Sequence, residues 1–156
     1  MTHELFLQRA IELAVSGVNS GKGGPFGAVI VKNGKIIAEG QNNVTSSNDP
    51  TAHAEVTAIR EACKALGEYQ LDDCILYTSS EPCPMCLGAI YWARPKKVYF
   101  AAKHEDAAHA GFDDSFIYDE IAKPHESRKI VFHELNLENK MAPFESWAQY
   151  ENKKEY

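Results

Sequence analysis

Leu5, Ala10, Ile11, Leu13, Ala14 and Val18 recur at helical spacing with polar residues between them, so residues 4–18 are predicted to form an amphipathic helix. The period then shortens. In GKGGPFGAVIVKNGKIIAEGQN two β-branched runs flank Asn33-Gly34, a pair suited to the positive φ of a type I′ turn, and the stretch reads as a hairpin. A polar loop, NNVTSSNDPT, leads into a helix at 53–66 that Gly67 ends. CILYTS reads as a short buried strand, PMCLGAIYWA as a helix stopped before Pro95, and KVYFAA as another strand. A loop rich in His and Asp follows, then a helix at about 114–122, a fifth strand in KIVFHEL, and a terminal helix in APFESWAQYENKKEY.

The resulting order is α-β-β-α-β-α-β-α-β-α, with no internal repeat or obvious linker. Strands alternating with helices after a hairpin predict one mixed sheet covered on both faces. The fold class expected is therefore α/β, a single three-layer α/β/α domain over residues 1–156 with a five-stranded mixed sheet flanked by helices.

Composition narrows the function classes. A chain of 156 residues, 44% hydrophobic and 24% charged, suits one globular domain with a sizeable core. No apolar run approaches the ~18 residues of a membrane span, and Glu4 and Arg9 interrupt any secretory h-region, so a cytoplasmic protein without a membrane partner is expected. The net charge of −6 provides no basic field for a phosphate backbone, which argues against a nucleic-acid partner. Of the four cysteines, Cys63 and Cys74 fall in helical and strand-like patterns and read as buried small hydrophobes. Cys83 and Cys86 do not.

Those two cysteines open a predicted helix, with Pro82 and Pro84 stiffening the approach. Thiolates at this spacing can chelate one metal, and the positive end of the helix favours the ionised form. A redox pair is a weaker reading, because Pro-Met separates the sulfurs and the surroundings are not thioredoxin-like. A closed structural zinc knuckle would need a fourth ligand from Cys74, His104, His109, His125 or His133, none of which has a chelating spacing. The third ligand is expected in PTAHAEVTA. There His53 and Glu55 are two apart and do not share a helical face. At a first turn they need not: His53 can point along the axis to a metal beyond the helix end, while Glu55 approaches the water on that metal. Three protein ligands with one open position is the catalytic zinc pattern. H-x-E followed by P-C-x-x-C is the signature of zinc-dependent nucleobase deaminases, with the Glu as proton carrier rather than ligand. In that chemistry zinc acidifies water, Glu55 takes its proton, the ring carbon bearing the amine is attacked, and ammonia departs.

Over nearly the whole chain the sequence resembles the cytidine deaminase-like superfamily. It is similar more closely to the compact bacterial guanine deaminases, through GGPFGAVIVK, GQNNVTSSNDPTAHAEV, YTSSEPCPMCLGAIYWARP, AGFDDSFIYDEI and the terminal ENKKEY. The resemblance implies one zinc per chain on His53, Cys83 and Cys86, proton transfer by Glu55, and attack at C2 of guanine to yield xanthine. For specificity, a carboxylate suits the adjacent N1–H and amine donors of guanine. GFDDSF supplies Asp113 and Asp114, and the resemblance favours Asp114, also as a second proton carrier. Asn42 could pair with an acceptor and a donor on the purine edge. Phe26 and Trp92 are candidates for flat walls, and Ala54 is counted among the substrate-binding residues. Phe144, Trp147 and Tyr150 form an aromatic stripe behind Pro143, and the chain ends on Tyr156, a candidate lid over the base. A homodimer with the segment from about 143 to 156 exchanged between subunits is the expected assembly.

A tRNA adenosine deaminase shares the zinc motif but usually carries a basic surface and a Gly-Ala-x-Gly-Ser-like stretch where this chain has AAHAGFDDSF. Cytosine or guanosine deamination is a further alternative. A zinc-stabilised binding module is the non-enzymatic one, although it would have no need for Glu55.

Overall fold

The computed structural model describes residues 2–156, which fall into two compact units, one ending at Asp114 and the other spanning Ser115–Tyr156. The first contains α1 (His3–Asn19), β1 (Gly27–Lys32), β2 (Lys35–Gln41), α2 (Val44–Ser47), α3 (Ala54–Leu66), β3 (Cys74–Ser80), α4 (Pro84–Ala93), β4 (Lys97–Ala102) and α5 (His104–His109). Thr2 caps α1 by accepting from the Leu5 N–H, and Asn33 and Gly34 take positive φ in the β1–β2 turn, as their types predict. The strands lie in the order β2-β1-β3-β4. β1 is antiparallel to both neighbours, and β3 is parallel to β4 across the α4 crossover.

Alternation along the strands divides the core. Phe6 and Leu13 of α1 pack with Val29, Val31 and Tyr77 on one face. On the other, Ala28, Ile30 and Leu76 meet Ala54, Ala58 and Ala62 of α3 and Ile90 of α4. The three-layer α/β/α arrangement is therefore present. The run of small residues on α3 lets it lie close: Gly40 of β2 has main-chain atoms of Ala54 and Ala58 where a Cβ would stand. Gly27 is similarly pressed against the main chain of Ala10 and Ala14 in α1.

Three expectations need correction. The sheet has four strands, not five: residues 129–135 join no ladder, and Ile130 is 78% exposed. Their apolar alternation signals strand propensity, but a strand exists only where a partner edge satisfies its main chain. Two segments read as loop form short helices, α2 and α5, the latter closed by the Asp106 carboxylate accepting from the Lys103 N–H. The terminal helix is shorter than expected. In the second unit, α6 (Ser115–Ala122) and a 3₁₀ turn (His125–Ser127) are followed by α7 (Ala142–Gln149), and the tail beyond is not helical. Among the described residues no helix is long and apolar enough to cross a membrane.

Because main chain cannot rotate away, Gly27→Ala and Gly40→Ala should each cost about 3 kcal/mol or more of stability. Urea unfolding at matched metal content would check this; a loss below about 1 kcal/mol would contradict the close approach.

Candidate active site

Two helix starts converge. Ala54 begins α3, and His53 precedes it as the N-cap residue in extended conformation, with no side-chain capping bond. Its ring is thereby left for other partners. Pro84 begins α4, and Cys83 is the N-cap, its Sγ accepting from the Cys86 N–H at 3.4 Å. His53 Nδ1 lies 3.5 Å from both Cys83 Sγ and Cys86 Sγ, and the three donor atoms all fall within 4.8 Å of one another. Among the described residues no other group of three such side chains is arranged for a metal.

Glu55, one residue into α3, is buried and turned inward. Its Oε1 accepts from Thr78 Oγ1 of β3 at 3.0 Å, and Cys86 Sγ lies 3.4 Å from Oε2. Burial raises its pKa against the main-chain and Thr78 hydrogen bonds that oppose the shift, the condition of a carboxylate ready to take up a proton. The Cys83 thiol is drawn down to about 4, first by the hydrogen bond from Cys86 and then by His53. Cys86 moves upward because it supplies that proton and is buried, and His53 is raised by its bond to Cys83 despite burial. Without metal, the group holds its protons among three converging lone pairs. One nitrogen and two sulfurs at these separations fit zinc, which displaces such protons on binding.

Around this group the other candidates are placed unevenly. Asn42 is buried, and its Oδ1 accepts from the Gly24 N–H at 3.2 Å and the Val44 N–H at 3.1 Å. A main-chain N–H can only donate, so the oxygen must face both, and only the Nδ2 donors remain for a ligand. The expected acceptor-and-donor pairing through this amide is thereby reduced to a donor alone. Asp114 is half-buried, 3.6 Å from His104 Nδ1, and its charge contributes to raising His53. Asp113 is exposed. Phe26 is half-buried and meets Phe112 edge-on at 5.1 Å between ring centres.

Ala54 packs wholly into the core, so its side chain is not offered to a ligand. Trp92 is 61% exposed on α4, which fits neither a core position nor an enclosed wall within one chain. Tyr156 is exposed in the second unit. Cys63 and Cys74 are free thiols raised by burial and take no part in the metal group. Sequence reasoning missed Thr78, whose hydroxyl steadies Glu55, because a strand Thr carries no signal of its partner. It also passed over Phe112, although GFDDSF contains it.

Residues 1–102 match the family described as the cytidine and deoxycytidylate deaminase zinc-binding region. The guanine deaminase of Bacillus subtilis is 72% identical over 156 residues, the full length of both chains. A tRNA-specific adenosine deaminase of Aquifex aeolicus is 43% identical over 126 residues, 80% of this chain and 82% of that one. The X-ray structure of the B. subtilis guanine deaminase superposes with a TM-score of 0.99 over 100% of this chain and 99% of that one, at 72% identity. A guanine deaminase structure from Nitrosomonas europaea gives 0.69 over 72% of this chain and 65% of that one, at 32% identity.

Elemental analysis of the purified protein should find one zinc per chain. Cys83→Ala should lose most of it, since removing one of three ligands leaves a pair; full occupancy in that variant would exclude the site.

Proposed function

The chain belongs to the family of the cytidine and deoxycytidylate deaminase zinc-binding region, and we propose that it hydrolyses guanine to xanthine and ammonia. The observation that carries this reading is Glu55: a buried carboxylate beside the His53, Cys83 and Cys86 group, held by Thr78 and not needed as a ligand. A zinc-stabilised binding module has no use for a carboxylate desolvated at that cost. Zinc on those three residues supplies acidified water as the nucleophile at neutral pH. Glu55 accepts the proton of the attacking water and delivers it to a ring nitrogen next to C2. The hydrogen left on the C2 hydroxyl then passes to the amine, the C2–N bond breaks as the C2 carbonyl forms, and guanine and water leave as xanthine and ammonia.

Guanine, rather than adenine in RNA, is supported by the polarity of the groups around the centre. Asn42 offers donors only, which suit a carbonyl or ring-nitrogen acceptor, and Asp114 offers acceptors, which suit N1–H and the exocyclic amine. Guanine carries both patterns and adenine lacks the N1–H. Full-length identity of 72% to a guanine deaminase, against 43% over part of the chain to a tRNA deaminase, points the same way. Free cysteines at 63, 74, 83 and 86 suit a reducing cytoplasm.

The working form in this reading is a homodimer with its C-terminal segments exchanged. Residues 115–156 form a compact unit without one buried residue, and Leu135 is 77% exposed. Such a unit cannot hold its shape on its own apolar contacts. The first unit leaves an apolar groove of about 510 Å³ lined by residues including Ile11, Val15, Val18 and Phe112, and α4 exposes Leu87, Tyr91 and Trp92. A helix apolar on all sides, as α4 is, belongs inside an assembly. A second copy supplies matching apolar surface in the stripe of Phe144, Trp147 and Tyr150, with Tyr156 beyond it as a lid over the base.

Assays with guanine, adenine, cytosine and a tRNA anticodon stem should show ammonia release with guanine far above the rest. Glu55→Gln should keep its zinc and lose ~10²–10⁴ in kcat or more; near-normal turnover in that variant, or preference for the RNA, would refute the reading.

Sedimentation should find a dimer at working concentration, and deletion of the last residues through Tyr156 should raise KM or lower kcat without unfolding. A monomer would remove the exchange, and unchanged kinetics would remove the lid.

A further inference from the structure

We propose that His104 is the positioning residue of Asp114; the assignment rests on the reading of Asp114 as the carboxylate that receives the donors of the base and carries a proton. Asp114 is itself in neither helix nor strand; it is the last residue of the short loop between the turn after α5 and Ser115, where α6 begins. A group that must meet two donors of a flat ring and transfer a proton has to be held to about 0.5 Å, and its supporting contacts decide whether it is. The contact is the imidazole of His104, the first residue of α5, whose Nδ1 lies 3.6 Å from Asp114 Oδ1.

The ring is fixed from its other side. Nε2 lies 3.3 Å from Glu81 Oε2, and the same oxygen accepts the main-chain N–H of His104 at 3.3 Å. Glu81 is itself anchored, its N–H donating to the Ala102 carbonyl at the end of β4 at 2.8 Å. Glu81, His104 and Asp114 thus form a rung. It runs from the segment that leads β3 into the cysteine-bearing start of α4 across to the loop that presents Asp114. An imidazole set between two carboxylates donates to both only when each ring nitrogen carries its hydrogen, and in that form the ring bridges Glu81 and Asp114. Through this rung the loop that presents Asp114 is tied to Glu81, two residues before Cys83.

The chemistry of side-chain amides separates positioning from mere bulk. Asn carries an N–H donor at about the place of Nδ1, and Gln carries one at about the place of Nε2. In the full-length, zinc-loaded enzyme, His104→Ala should lower kcat on guanine about ten- to a hundredfold, the range that small misplacements of a reacting group produce. His104→Asn should recover most of the loss and His104→Gln little of it. In an Asp114→Ala background, His104→Ala should change kcat no further, the non-additivity of residues that act as one unit. Zinc content and thermal midpoint are measured in each variant, and if His104→Ala does not fold, the Asn and Gln variants alone carry the comparison. Loss of the same factor in both backgrounds, rescue by Gln as good as by Asn, or kcat within about twofold of the parent in every folded His104 variant would overturn the assignment. Parent enzyme that does not turn over guanine would instead overturn the function. Impairment by Asp114→Ala with none by His104→Ala would overturn the positioning role alone.

Discussion

His53 Nδ1 meets two sulfurs at 3.5 Å because two helices start at the same point, and much of the chemistry rests on that convergence. Neither helix could be placed so by its own sequence. α3 is seated by small residues against β2, with Gly40 giving way to its main chain, and α4 is seated by Ile90 and Ala93 in the same core layer. β3, buried along almost its whole length, then delivers its C-terminal end to the space between the two. At the N-cap positions the carbonyls of His53 and Cys83 accept the first helical hydrogen bonds, from the Thr57 and Leu87 N–H groups, while their side chains come together at the helix starts.

That geometry explains how four ionisable groups tolerate close company. Cys83 is held as thiolate by the Cys86 proton and by His53, and a divalent cation with the same ligands replaces those protons. Glu55 lies beyond the ligand set, its pKa raised by burial against the main-chain and Thr78 hydrogen bonds that lower it, which makes the carboxylate a stronger proton acceptor. The price of burying it is sensible only if the carboxylate works on something that enters the site, which is what separates a catalyst from a zinc-stapled scaffold. The amide of Asn42 is likewise fixed in orientation, because its oxygen is already committed to main chain.

The apolar surfaces divide along a similar line. On one face of the sheet α1 packs with Val29, Val31 and Tyr77, and its His3 also stacks on Tyr99 and meets the Tyr77 hydroxyl at 2.6 Å. By contrast, α4 and the residues after Ser115 carry large apolar side chains that one chain does not cover. In the proposed dimer these surfaces become interior.

The elements from α1 to β4, α2 apart, were legible because each announces itself locally: 3.6-residue periodicity in 4–18, Asn33-Gly34 at the hairpin, and Gly67 and Pro95 at helix ends. The zinc ligands were legible for a chemical reason, since a histidine and a C-x-x-C pair at two helix starts suit a metal better than they suit capping. The helices at 44–47 and 104–109 were not, being too short to show a period. The fifth strand failed because pairing is a relation between segments, and alternation in 129–135 says nothing of a partner. Thr78 under Glu55, the fixed polarity of Asn42 and the His104 rung belong to tertiary structure alone. In each of them a hydrogen bond or ion pair joins residues brought together by sheet order and helix seating, distances that no local pattern of residue types encodes.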